Sequence, residues 1–262
     1  MTLRGLRVLV TGASSGIGEA CARAFAREGC HVLLIARRLD RIDELARHLR
    51  GEHAVEVLPA AIDVRDRTAV ESWVGGLGSD WRGIDILVNN AGLARGLAPL
   101  NEGNVEDWEE MIDTNLKGLL YVTRAVLRGM VERGKGHVIN IGSIAGHESY
   151  AGGNVYCATK HAVTGLTRAL AIDTLGSGVR VSSVDPGLVE TEFSTVRFHG
   201  DRNRATSVYQ GLTPLGATDV AEAVLFCATR PPHSNVREMV LLPTAQAGSV
   251  HVHREPGGGG DD

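Results

Sequence analysis

Leu6-Arg7-Val8-Leu9-Val10-Thr11-Gly12-Ala13-Ser14-Ser15-Gly16-Ile17-Gly18 is the stretch from which the fold is read. Residues 6–10 form a short apolar, β-branched run, the pattern of a buried strand. A glycine-rich turn follows at once, and then a helical pattern through about residue 28. Strand, glycine turn and helix in that order are the setting in which a weak glycine motif becomes a phosphate site. Glycines let the backbone approach a pyrophosphate closely, and the helix N-terminus adds free N–H groups and positive dipole. The spacing is G-x-x-x-G-x-G. Residues Gly12, Ala13, Ser14, Ser15, Gly16, Ile17 and Gly18 are thus expected to cradle a dinucleotide, with a plain tight turn as the alternative.

The same alternation continues outward. Strands are expected at 31–36, 55–62, 84–88, 137–141, 179–184 and 236–242, and helices at 40–49, near 65, 105–133, 154–165 and 219–229. Strands separated by helices imply one parallel sheet covered on both faces. The expected architecture is a single-domain, α/β, Rossmann-type doubly wound sheet of about seven strands, spanning residues 1–245. No internal repeat or linker interrupts it. Residues 188–215 are irregular and mixed in polarity, a candidate substrate lid. Residues 246–262, ending in four glycines and two aspartates, are expected to be a flexible tail.

Polar residues sit just past the strand ends, where such sheets bind ligands. Arg37-Arg38 stands where an acid would normally hold a ribose 2′-hydroxyl. Two arginines suit a 2′-phosphate instead, though a pair of solvated helix-start arginines is the other reading. Asp63-Val64 could meet an adenine amine, or Asp63 could cap the next helix. Asn89-Asn90-Ala91-Gly92 would lie beside the first glycine turn. Asn115 falls inside a helical pattern it does not favour, which invites a special reason.

Gly136 to Gly165 carries the chemistry. After a buried strand come a turn with Ser143, a glycine-rich loop and a helix with Tyr156 and Lys160. Residues four apart share a helix face. A lysine cation there is expected to lower the tyrosine pKa from about 10 into acid/base range. Ser143 could hydrogen-bond an oxygen on which charge develops. Lys117, Lys135 and Lys160 are the only lysines among 27 Lys+Arg, so a point charge at 160 hints at a specific use.

Composition excludes more than it assigns. A net charge of −4 and a pI near 6.2 give no general attraction for nucleic acid or anionic membrane. No apolar run is long enough to cross a bilayer, and the N-terminus lacks the pattern of a signal peptide. Cys21, Cys30, Cys157 and Cys227 have no metal-like spacing, so no metal site is expected. A cytoplasmic protein with reduced structural thiols fits best.

Taken together, the Gly12–Gly18 turn, Asn89-Asn90-Ala91-Gly92, Asn115, Ser143, Tyr156-x-x-x-Lys160 and Pro186-Gly187 resemble the classical short-chain dehydrogenase/reductase family over about residues 3–247. The resemblance implies hydride transfer between a nicotinamide cofactor and a carbonyl/alcohol pair. It implies Tyr156 as acid/base, Ser143 orienting the substrate oxygen and Lys160 lowering the tyrosine pKa while holding the nicotinamide ribose. It further implies that Asn115 positions a water in the proton relay. Asn90, Ala91 and Gly92 would line the adenosine-side ribose. Pro186, Gly187, Leu188, Val189 and Thr191 would line the nicotinamide.

Within that family, Asn89–Ala94, Glu106-Asp107-Trp108-Glu109, Met111–Asn115, Tyr150–Tyr156, Glu192-Phe193-Ser194 and Val196-Arg197-Phe198 are similar to the NADP-dependent 3-hydroxy acid dehydrogenases, a group that includes serine 3-dehydrogenase and L-allo-threonine dehydrogenase. Small β-hydroxy acids and their semialdehydes are the implied substrates, and a homotetramer built through the helices that begin at Val105 and Asn154 the implied assembly. Leu188-Val189-Glu190-Thr191 departs from that group in lacking glycine, and the glycine/aspartate tail departs too. A small acid needs a cationic partner, and Arg197 in the lid is the candidate, with a solvated lid arginine as the other reading. Two alternatives remain open. One is an NADPH-dependent reductase of larger ketones, acyl-carrier-protein-bound or from secondary metabolism, for which Arg124, Arg128 and Arg168 could form a basic docking face or be plain solvated helix arginines; the other is an NADPH-binding sensor without turnover.

Overall fold

In the computed structural model, which describes residues 2–255, the apolar runs become seven parallel strands. These are β1 (Arg7–Thr11), β2 (His31–Ala36), β3 (Val57–Ala61), β4 (Ile86–Asn89), β5 (Gly136–Ile141), β6 (Val179–Pro186) and β7 (Glu238–Leu241), in the order β3-β2-β1-β4-β5-β6-β7. Side chains alternate across the sheet, and both faces are buried, which is why the strands read as apolar runs. Val8, Val10, Val32 and Leu34 point to one layer with α1 (Gly16–Arg27) and α9 (Ala217–Thr229), where Phe25 and Val224 are fully buried. Leu9, Leu33 and Ile35 point to the other, with α3 (Arg67–Gly75) and α5 (Leu119–Glu132).

From β1 the chain winds outward to β2 and β3, then returns to place β4 on the other side of β1. Beyond their carboxyl ends the helices on the two faces diverge and leave a crevice. Its floor is stitched from both strands. Thr11 Oγ1 accepts from the N–H groups of Asn90 and Ala91 at 2.9 and 2.8 Å, while Asn90 Nδ2 donates to the Thr11 carbonyl at 2.9 Å.

Three expectations change. The single helix expected over 105–133 is α4 (Val105–Ile112), a π-helical segment (Asp113–Gly118) and α5, so the chain widens at Asn115. Such widenings gather at functional sites. The lid region contains α7 (Glu192–Arg197) and α8 (Arg202–Ser207) rather than irregular chain alone. The tail does not begin at 246. Gln246 is buried and takes the Leu188 N–H on Oε1 at 2.9 Å, and Glu255 N–H bonds the Gly211 carbonyl at 2.7 Å. The fold thus continues through Glu255; the glycine/aspartate run that follows lies outside the described residues. The cysteines are buried and unbridged, and burial pushes the Cys21 and Cys30 thiols up to about 12.

Candidate active site

A cleft of about 470 Å³ runs along the crevice from Arg38 and Asp63, past the glycine turn, to Ser143 and Tyr156. Every cofactor, catalytic and substrate residue expected from the sequence lines it except Ala13, Gly18 and Asn115, which lie just behind its wall. The turn is built for a close ligand. Gly12 and Gly16 have φ of +65° and +56°, and a Cβ on Gly18 would stand 2.4 Å from the Gly12 carbonyl oxygen. Ser15, at the N-cap of α1, makes no side-chain bond to the first turn, leaving those N–H groups to a ligand. A dinucleotide fits this cradle.

At the far end, Ser143 and Tyr156 meet through their side chains. Ser143 follows β5, and its hydroxyl accepts from Ala145 N–H at 3.1 Å. Tyr156 and Lys160 lie on α6 (Asn154–Asp173), both 8% exposed. Lys160 Nζ donates to the Ile141 carbonyl at 3.0 Å and stands 5.9 Å from the Tyr156 ring centroid. Here the sequence expectation is corrected. Burial pushes the Tyr156 phenol above its usual range, Tyr150 adds to the rise, and the downward pulls come from a Ser143 hydrogen bond and Arg197. The nearby Lys160 cation does not offset that burial. Burial lowers the ammonium's own pKa to about 8, against the opposing field of Asp185. Helix spacing placed the two groups on one face but could not weigh desolvation against their attraction.

Asn115 is spent on structure. Its side chain exchanges hydrogen bonds with the Leu93 backbone, both at 2.8 Å, and donates to Thr159 Oγ1 at 3.0 Å. Thr114, its neighbour, faces the cleft instead. Asp63 is not a helix cap either: Asp66 caps α3, and Asp63 is gripped by Arg65 at 2.6 Å. Arg37 and Arg38 part company. Arg37 turns toward Glu110 at 3.7 Å, while Arg38 lies on the glycine turn, bonded to Ser14 and Ser15.

Arg197 lies over the reacting end. Its guanidinium carbon is 5.2 Å from the Tyr156 ring centroid and 5.5 Å from that of Tyr150, whose hydroxyl accepts from Nη2. Its Nε is buried with no partner among the described residues. Buried donors are normally satisfied, so this one stands out beside the reacting groups. Phe193 closes on Tyr156 edge-on at 5.7 Å. Tyr150, Phe193, Gln246 and Ser249 also line the cleft and were not assigned from the sequence. Tyr150 and Phe193 left a signal there, within the segments Tyr150–Tyr156 and Glu192-Phe193-Ser194.

Near the site, His147 links two carboxylates, Nε2 to Asp185 at 2.8 Å and Nδ1 to Glu238 at 3.5 Å. The ligand atoms of these three lie within 4.8 Å of one another, close enough to hold a metal ion. The arginines offered from the sequence as a docking face each pair with a carboxylate, Arg124 with Glu71, Arg128 with Glu132 and Arg168 with Glu238.

A doubly wound parallel sheet with a glycine-turn cradle and a Ser-Tyr-Lys cluster at one cleft defines a dinucleotide-dependent oxidoreductase of Rossmann type. The family model for short chain dehydrogenases matches residues 7–201, and the chain belongs to the short-chain dehydrogenase/reductase family. It is 51% identical over 249 residues to an NADP-dependent 3-hydroxy acid dehydrogenase of Salmonella typhi, covering 94% of this chain and 99% of that protein. It is 46% identical to sulfoacetaldehyde reductase 2 of Chromohalobacter salexigens, covering 93% and 96% of the two chains. A solved structure of serine dehydrogenase in its closed form, complexed with NADP+, superposes with a TM-score of 0.89 at 48% identity, covering 95% of this chain and all of that one.

Proposed function

We propose that this protein is an NADP-dependent 3-hydroxy acid dehydrogenase, interconverting small β-hydroxy acids such as serine, allo-threonine, 3-hydroxyisobutyrate and 3-hydroxypropionate with their 3-oxo forms. The observation that carries this reading is Arg197, stacked on Tyr156 with a buried unpartnered donor. A cation at that spot recognises a substrate whose acid group lies a few bonds from the reacting carbon. Relatives named for hydroxy acids and for a sulfonated aldehyde share an anionic substrate, in keeping with it.

The nicotinamide, when bound, accepts hydride from the alcohol carbon or returns it to the carbonyl. The chain's own residues do the rest. Ser143 orients the substrate oxygen. Tyr156 holds the proton at its hydroxyl; buried, it is stored as the acid, ready to donate to the oxygen as charge develops there. Lys160, fixed by Ile141 and the field of Asp185, holds the ribose. Asn115 acts through position, tying Leu93 and Thr159 to the widened helix; a relay water would be held by its main chain. Arg38 with Ser14 and Ser15 takes the 2′-phosphate, and Phe193 with the lid excludes water.

The test is a substrate panel. Serine, L-allo-threonine, 3-hydroxyisobutyrate and 3-hydroxypropionate with NADP+ are compared with an acetoacetyl thioester and NADPH. Higher kcat/KM for the thioester than for any small acid would overturn the reading; no turnover of any carbonyl would leave a cofactor sensor. We further infer a homo-oligomer, to which the exposed apolar side chains Leu120 on α5 and Ile172 on α6 (41% and 73% exposed) would contribute. Light scattering in solution measures its order. A cytoplasmic location agrees with the reduced thiols and with the finding that, among the described residues, no helix is long and apolar enough to cross a membrane.

A further inference from the structure

Glu192 opens α7, directly after the lid threonine Thr191 that packs on Gly16. Its carboxylate reaches across the cleft to the adenosine end. One oxygen accepts from Arg38 Nη1 at 2.8 Å and the other from Arg41 Nη1 at 2.6 Å. The opposite edge of the Arg38 guanidinium is already fixed to the turn, with Nε on Ser14 Oγ at 3.1 Å and Nη2 on Ser15 Oγ at 2.7 Å. A single guanidinium is therefore bracketed by the phosphate-side hydroxyls and by a carboxylate brought in by the lid. The two arginines hold Glu192 ionised, its carboxyl drawn down to about 2 chiefly by the Arg41 hydrogen bond.

We propose that Glu192 is a built-in competitor for the 2′-phosphate of the cofactor, taking over Arg38 and Arg41 when the phosphate leaves and loosening its hold while it is seated. The proposal rests on the reading of Arg38 as the 2′-phosphate ligand. A phosphate monoester carries close to two negative charges at neutral pH. Facing it across one guanidinium is a third negative charge, on a helix that belongs to the lid. Two cations offset the phosphate alone but not the phosphate and carboxylate together, so the carboxylate opposes cofactor retention. A dinucleotide without the phosphate does not feel this repulsion. Glu192 thus lowers the affinity for NADP(H) selectively and shortens its residence, in a reaction class where release of the spent cofactor often limits turnover.

The experiment needs no substrate. NADPH and NADH are titrated by nucleotide fluorescence into the full-length wild-type protein, Glu192→Gln and Arg38→Ala at low ionic strength, and NADPH release is timed by displacement. One carboxylate charge acting on a dianion in a largely aqueous dielectric corresponds to about 3- to 10-fold. Glu192→Gln is therefore expected to bind NADPH about that much tighter and to release it more slowly, with NADH within about 2-fold of wild type. Near 1 M salt the gain should disappear, since the screening length falls to about 3 Å. Weaker binding of both nucleotides would make Glu192 a lid latch and overturn the proposal, as would unchanged NADPH affinity. If Arg38→Ala weakens NADPH while Glu192→Gln fails to tighten it, only this proposal falls. If Arg38→Ala leaves NADPH unaffected, the phosphate-site reading falls and takes the proposal with it. The assignment to small hydroxy acids stands or falls separately, on the substrate panel.

Discussion

Replacing Arg197 with methionine keeps the length of the side chain over Tyr156 while removing its charge and donors. The guanidinium is half-buried between two aromatic rings, and its Nε has no acceptor among the described residues. A hydrogen bond to a charged partner is worth about 1.5–3 kcal/mol net, so loss of the contact to a substrate acid should lower kcat/KM by about 10- to 150-fold. Arg197 also pulls the Tyr156 phenol down, so its loss slows proton transfer for every substrate alike. That shared part cancels when kcat/KM for 3-hydroxypropionate is divided by kcat/KM for a neutral alcohol of similar size, both followed as NADPH formation at one pH. The ratio should fall by at least about 10-fold. Arg197→Lys, which keeps a charge but loses the fork, should fall between methionine and wild type. A ratio within about 3-fold of wild type in the methionine variant, with thermal unfolding unchanged, would refute acid recognition by Arg197.

Three further outcomes follow from the geometry. Gly18→Ala would put a methyl 2.4 Å from the Gly12 oxygen and 2.5 Å from Asn90 Nδ2; it should cost about 1–3 kcal/mol and weaken NADPH binding, and wild-type values in both thermal unfolding and titration would contradict the turn's role. His137 is buried, and that burial, aided by Arg180, pushes its pKa down to about 3. The unfolded chain takes a proton near pH 6.5 that the folded chain refuses until about pH 3. Its stabilising contribution is thus complete above pH 6.5 and shrinks as pH falls, by up to about 1.4 kcal/mol per unit. Urea unfolding between about pH 7 and pH 5 should show that slope, flattened in His137→Gln; equal slopes would reject it. Tyr156→Phe should retain NADPH affinity within about 2-fold while losing about 10²–10⁴ in turnover; loss of binding would assign the ring to packing against Phe193.

The sheet and its glycine turn were legible because their determinants are local: strand alternation, burial on both faces and glycines with left-handed φ are written in runs of a few residues. The cleft was legible for a related reason, since in a doubly wound sheet the ends of strands must converge. Boundaries were less so. Val55 and Ile84 are as apolar as the strands they precede, but β3 and β4 begin at Val57 and Ile86 because register with β2 and β1 decides where pairing starts. Asn115 was flagged by its helix-averse side chain, and the chain does widen there; its true partners, Leu93 and Thr159, lie 22 and 44 residues away. Burial defeated the electrostatic reading of Tyr156 and Lys160, because four-residue spacing carries no measure of desolvation. Long-range partners also hid Glu192, whose arginines lie more than 150 positions earlier, and the packing of residues 246–255.

That last segment reaches back to the lid at several points. Gln246 holds Leu188, Arg254 donates to the carbonyls of Val208 and Gln210, and Glu255 holds Gly211. Val189 bridges Leu215 between them. Fastened at both margins, the cover of the cleft is braced by the very segment that composition marks as loose.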